Sequence, residues 1–157
     1  MHAFKYGGWR VLAIPMADRM ARVDGMHPAA ASTALVAVPL ASARERERGY
    51  NQSELLAREI SRRWALPVWS GALQRSRQTP TQTALTPQQR LRNVAGAFAI
   101  VAAFRARCRG ANLILVDDVI TTGATMNACA TAMFAAGAHS VAYVTFGRAR
   151  APGDPPP

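Results

Sequence analysis

What the chain has little of narrows it first. It holds two cysteines, Cys108 and Cys129, and three histidines, His2, His27 and His139. Neither cysteine has a Cys or His neighbour at zinc-ligand spacing, and the histidines form no metal pattern, so no zinc is expected within these 157 residues. Both thiols read as packed or incidental. Aromatics are sparse, and Trp9, Trp64 and Trp69 are too scattered for a base-stacking platform; they read as packing residues. No apolar run reaches the ~18 residues of a membrane span, and Met1–Arg10 lacks the apolar block of a signal peptide. A cytoplasmic protein is the resulting expectation. Neither Gly-x-Gly-x-x-Gly nor a Walker Gly-Lys-Ser/Thr is present, which removes the two commonest nucleotide fingerprints.

Acidic residues are also scarce: nine Asp and Glu stand against nineteen Lys and Arg, for a net charge of +10. All the cations but Lys5 are arginine, which reads in part as a compositional bias of the genome. Such a charge attracts nucleic acid or phosphorylated ligands. The arginines are spread along the chain without interleaved aromatics, however, and that favours a solvated basic surface.

The length allows one domain with one core, and no internal repeat is visible. Arg10–Val23 places Val11, Leu12, Met16, Met20 and Val23 at helical spacing, with Pro15 marking a kink or a late start. Ala34–Leu40 reads as a strand ended by Pro39, and Ala41–Gly49 as a charged connector. Asn51 stands three residues before Glu54, a variant capping box that opens a helix from Gln52 to Trp64. That helix should bury Leu55, Leu56 and Ile60. Leu66–Trp69 reads as a further short strand. Arg75–Leu85 has no period and reads as a long mobile loop; Thr86-Pro87 opens a short helix through Arg92; Gly96–Val101 reads as a strand or half a hairpin. Asn112–Val116 is the clearest strand, Thr125–Ala136 the clearest helix, closed by Gly137, and Ser140–Phe146 a final strand. Residues 1–150 form the expected domain and the Pro-rich 151–157 a disordered tail. Strands alternating with helices predict an α/β fold with a mainly parallel sheet flanked by helices. Ligands then sit at the carboxyl ends of the strands, where both Asp117 and the loop at Ala41 fall.

The run Leu113–Thr125 (Leu-Ile-Leu-Val-Asp-Asp-Val-Ile-Thr-Thr-Gly-Ala-Thr) carries the most chemistry. A buried strand delivers Asp117 and Asp118 side by side. Burying both is expensive without a cation or hydrogen-bond donors. Thr121–Thr125 can aim successive backbone N–H groups inward as a phosphate nest. Gly123 permits close approach, and the following helix adds its positive end. Two carboxylates beside a phosphate cradle can hold sugar hydroxyls or a divalent cation, which together suggest a phosphorylated sugar. The plainer alternative is a polar turn with a helix cap.

This run resembles the signature of type I phosphoribosyltransferases: a buried strand, two acidic residues, two apolar residues, then Thr-Thr-Gly-x-Thr. The resemblance implies that Thr121, Thr122, Gly123, Ala124 and Thr125 hold the 5′-phosphate of phosphoribosyl pyrophosphate (PRPP). Asp117 and Asp118 would meet the ribose hydroxyls, with Mg²⁺ nearby and held directly or indirectly by the two carboxylates. Nearly the whole chain resembles the competence protein F (ComF) family, the amidophosphoribosyltransferase-like group. The resemblance rests on Phe4-Lys5-Tyr6-x-Gly8, Val38-Pro39 and Arg46-Glu47-Arg48-Gly49-Tyr50-Asn51-Gln52. It continues through Arg75, Arg77, Thr79, Gln82, Arg90, Asn93 and Gly96-Ala97-Phe98. Members usually carry a four-cysteine zinc module before this point, so the chain is expected to be a short member, a fragment or a gene with a misplaced start.

The resemblance assigns pyrophosphate to the loop Pro39, Leu40, Ala41, Ser42 and Arg44. His-Pro and two basic residues are common there, whereas this chain has Ala41-Ser42-Ala43-Arg44. Arg75 and Arg77 fall where type I enzymes carry a loop that closes over the reacting centre, which makes them catalytic candidates able to stabilise departing pyrophosphate. A solvated arginine pair explains them equally well. Thr121 stands where 6-oxopurine salvage enzymes have an acidic residue, which argues against that acceptor class. Three functions remain open at this level: phosphoribosyl transfer to an unknown acceptor, a PRPP- or nucleotide-binding module without turnover, and a competence factor that handles single-stranded DNA. A homodimer is also left open.

Overall fold

The computed structural model describes residues 10–23, 32–76 and 96–149. Its centre is a parallel sheet of β1 (Thr33–Ala37), β4 (Asn112–Ile120) and β5 (Ser140–Arg148), in the order β1-β4-β5. Val68 forms a parallel bridge to Leu35 on the outer side of β1, so the Leu66–Trp69 stretch lies along the sheet as a single bridge. A second, antiparallel pair joins β2 (Leu73–Arg75) to β3 (Phe98–Ile100). The expected α/β fold with a parallel sheet flanked by helices is therefore the fold observed.

Strands β1 and β4 are apolar on both sides because both of their sides are covered, whereas β5 is largely exposed and buries Val144. All five residues of β1 are buried, as are Leu113 to Val116 of β4. With side chains alternating along each strand, Val36, Leu113 and Leu115 join one cluster. It holds Met126, Cys129 and Met133 of α5 (Ala124–Ala135) and Leu73, Phe98 and Ile100 of the small pair. Leu35, Ile114 and Val116 join the other, with Met16 and Met20 of α1 (Ala13–Met20) and Leu56 and Ile60 of α3 (Gln52–Trp64).

Helix α3 has the expected bounds. Asn51 is its N-cap and accepts a hydrogen bond from the Ser53 N–H at 3.0 Å. The Glu54 carboxylate accepts from Arg58 and Ser70. Leu55 is half-buried rather than core, and Ala57 takes the core position beside Leu56 and Ile60. Arg63 reaches Asp18 at 2.5 Å and ties α3 to α1. That hydrogen bond is the main reason the exposed Asp18 carboxyl lies below its ordinary range. Around Pro15, the chain begins with a 3-10 turn at Arg10–Leu12, and Pro15 sits in the first turn of α1, where a missing N–H costs no helix bond.

Three expectations are corrected. The charged connector is a helix, α2 (Ser42–Arg48). Gly49 closes it at φ +75°, with its N–H donating to the Glu45 carbonyl at 2.7 Å. Its Arg/Glu run has no apolar stripe, so periodicity alone could not reveal it. A further helix, α4 (Ala102–Cys108), was not anticipated; Cys108 is its fully buried member. Finally, β4 runs on past Val116 to Ile120, because β5 continues beside it beyond the end of β1, out to the pair Ile120↔Arg148.

The expected segment Phe4–Gly8, the helix after Thr86-Pro87, the tail 151–157 and the residues Arg77, Thr79, Gln82, Arg90 and Asn93 lie outside the described residues. Among the described residues, no helix is long and apolar enough to cross a membrane.

Candidate functional site

Parallel pairing brings the relevant loops to one edge. Ala37 is in register with Val116, and the Val38 N–H donates to the Val116 carbonyl at 3.0 Å. The chain leaving β1 (Pro39, Leu40, Ala41) therefore emerges beside Asp117. Helices α3 and α5 also begin at this carboxyl edge, and their positive ends favour an anion there.

Asp117 and Asp118 do not leave the strand; both lie inside β4. Successive strand residues alternate sides, so the two carboxylates are turned apart rather than juxtaposed, which lowers their mutual repulsion. Asp117 is half-buried. Its Oδ1 accepts from the Ser53 hydroxyl at 2.8 Å and from the Asp118 N–H at 2.9 Å. Asp118 is only 3% exposed, and its Oδ1 accepts from the Val119 N–H at 2.7 Å. Ser53 was not singled out from sequence. Its signal was faint: it directly follows the Arg46–Gln52 segment and occupies the first turn of a capped helix, yet is 1% exposed.

The turn 121–123 and the first residues of α5 form a small-residue cradle. Gly123 has φ +76° and caps the helix, which starts at Ala124, one residue earlier than the spacing suggested. A Cβ there would meet nothing closer than Ile120 at 3.9 Å, so the demand for glycine comes from the backbone angle and not from crowding. The Thr122 hydroxyl accepts from the Ala124 N–H at 3.4 Å. Thr121 and Thr122 are exposed, Gly123 and Thr125 half-buried and Ala124 buried. The arrangement places the helix entrance at the carboxyl end of β4.

In the chain that leaves β1, Ser42 and Arg44 belong to α2, not to an irregular loop, and Arg44 is exposed. Arg75 also departs from its expected place: it ends β2, half-buried, with its guanidinium 5.0 Å from the Phe98 ring centroid. It is a strand residue rather than the start of a mobile loop. Burial draws its pKa down from the ordinary arginine value. Cys129 opposes that effect and Arg44 adds to it. Cys129 is fully buried; desolvation, then Asp117, raise its thiol pKa, and Arg75 opposes them.

Among the described residues, no group of three or more His, Cys, Asp or Glu could form a protein-only metal cage. The two carboxylates fit a different mode. Mg²⁺ typically takes one or two carboxylates, keeps several waters and completes its shell with substrate phosphates.

Comparison with known proteins agrees with this layout. The model of the phosphoribosyl transferase domain family matches residues 13–156. DNA utilization protein YhgH of Escherichia coli K12 is 39% identical over 108 residues, which cover 68% of this chain and 45% of the relative. Competence protein F of Haemophilus influenzae is 38% identical over 94 residues, 60% of this chain and 41% of the relative. The chain spans less than half the length of these relatives.

Proposed function

Since the chain belongs to the phosphoribosyl transferase domain family, we propose that it binds PRPP together with Mg²⁺ at the carboxyl edge of β1 and β4. The observation that carries the proposal is the Gly123 turn opening α5 directly after a strand that holds Asp117 and Asp118. In this reading residues 121–125 take the 5′-phosphate through backbone N–H groups and threonine hydroxyls. Asp117, the half-buried member of the pair, would take the ribose hydroxyls, and the carboxylates would hold Mg²⁺ directly or through water. The loop Pro39, Leu40 and Ala41, with Ser42 and Arg44 of α2, borders the pyrophosphate.

Transfer would displace pyrophosphate from C1 of the ribose by a nucleophile. Negative charge grows on the leaving group, and Arg44 and Arg75 are the candidate cations to stabilise it. Arg77 is carried forward only as a sequence-based candidate. Thr121 is neutral, so a 6-oxopurine acceptor is not part of the proposal. Titration calorimetry with PRPP and Mg²⁺ should give saturable binding, and pyrophosphate release on addition of one acceptor would establish turnover. No heat at millimolar PRPP would remove the proposal.

A second reading, contact with single-stranded DNA, is favoured by the arginines of α4. Arg105, Arg107 and Arg109 are exposed around a segment without acidic residues. Arg107 lies 4.8 Å from the Trp69 ring centroid and 5.6 Å from that of Phe104. The arginines of α3 are instead paired with Glu54, Glu59 and Asp18. The names of the relatives point the same way. DNA affinity should then fall steeply with salt, and a flat salt response would sink this reading.

A further inference from the structure

Resting on the PRPP reading, we infer that Ser53 is the positioning residue for the ribose subsite: its hydroxyl sets the orientation of Asp117. The geometry is a chain of hydrogen bonds through the first turn of α3. The Asn51 side-chain N–H donates to the Val38 carbonyl at 3.0 Å, which anchors the turn to the end of β1. The Asn51 Oδ1 accepts from the Ser53 N–H at 3.0 Å, which fixes the Ser53 backbone. The Ser53 hydroxyl then donates to Asp117 Oδ1 at 2.8 Å, across 64 positions of sequence.

The linking serine is buried, while Asn51 and Asp117 on either side of it are half-buried. Ser53 is 1% exposed and the neighbouring Gln52 4%. A buried hydroxyl bonded to a carboxylate is a charge-assisted contact, stronger and more directional than a neutral one. With the Asp118 N–H on the same Oδ1, two donors hold that oxygen, and moving it by a change of χ1 breaks both bonds. A carboxylate that must meet two hydroxyls of a ring gains most from such fixing, because little rotational freedom remains to be lost on binding. The phosphate cradle at 121–125 makes none of these bonds. Ser53 should therefore govern recognition of the sugar and not of the phosphate.

The test compares ribose 5-phosphate with inorganic phosphate by calorimetry on the full chain. Ser53→Ala should weaken ribose 5-phosphate about tenfold and leave inorganic phosphate unchanged. Ser53→Cys fills nearly the same volume with a much weaker donor and should do the same, which keeps the test valid should the alanine variant pack poorly. Equal loss for both ligands would show a merely structural role and overturn the inference, as would wild-type affinity for ribose 5-phosphate in either variant. Absence of ribose 5-phosphate and PRPP binding by the wild-type protein would instead overturn the PRPP reading itself, and the inference with it.

Discussion

Asp117→Asn should weaken PRPP binding by roughly ten- to a hundredfold while leaving the fold intact. Asparagine has nearly the same shape, and its carbonyl oxygen can still accept the Ser53 hydroxyl and the Asp118 N–H that now meet Oδ1. What disappears is the charge. Hydrogen bonds to a charged group are worth about 1.5–3 kcal/mol, and 1.4 kcal/mol is a factor of ten in affinity. An amide is also a poor partner for Mg²⁺ compared with a carboxylate. Calorimetry with PRPP and Mg²⁺ reads the effect, and a melting curve confirms that the variant is folded. Wild-type affinity in a folded Asp117→Asn protein would remove Asp117 from the sugar subsite.

Leu35→Ala should cost about 3 kcal/mol of stability, within the ~2–5 kcal/mol usual for a buried leucine cut to alanine. Leu35 is fully buried at the middle of β1. It is held between β4 on one side and the Pro67–Trp69 stretch on the other, through backbone bonds of 2.9 Å from its own N–H to Pro67 and from the Trp69 N–H to its carbonyl. Its neighbours in the core include Met20, Leu56 and Ile60, from two different helices. Partners fixed on both flanks collapse poorly into the space left behind, and the cavity adds to the lost transfer energy. A domain stable by ~5–15 kcal/mol would lose a large share of that margin. Urea unfolding should show a lower midpoint with an unchanged slope; an unchanged midpoint would mean that the core around β1 is looser than the structure shows.

Much of the architecture was legible because it is written in periods and punctuation. The short apolar run Leu113–Val116, followed at once by polar residues, reads as a strand covered on both faces, and it lies within β4. Asn51 before a 3.6-residue pattern marks the start of α3, and Gly137 marks the end of α5. Helix α2 was not legible for the opposite reason. Its side chains are charged and mostly exposed, so nothing in the pattern distinguishes a helix from a solvated connector. Its stability comes from features outside the periodicity: the left-handed Gly49 and the chain geometry after Pro39. The continuation of β4 to Ile120 was hidden too, because polar Asp117 and Asp118 look like a strand end when the partner strand β5 is not in view.

The sequence by itself determined the chemistry available: adjacent acids, a hydroxyl-rich glycine turn and a helix entrance. Those are properties of residues a few positions apart, and local spacing specifies them. Only the tertiary structure decided how they are aimed. It put Asp117 and Asp118 on alternate sides of one strand, brought Ser53 to Asp117 across 64 positions, and moved Arg75 from a loop into a strand beside Phe98. Orientation of this kind depends on which strands pair and how far. That is a matter of long-range register, and no short window of sequence contains it.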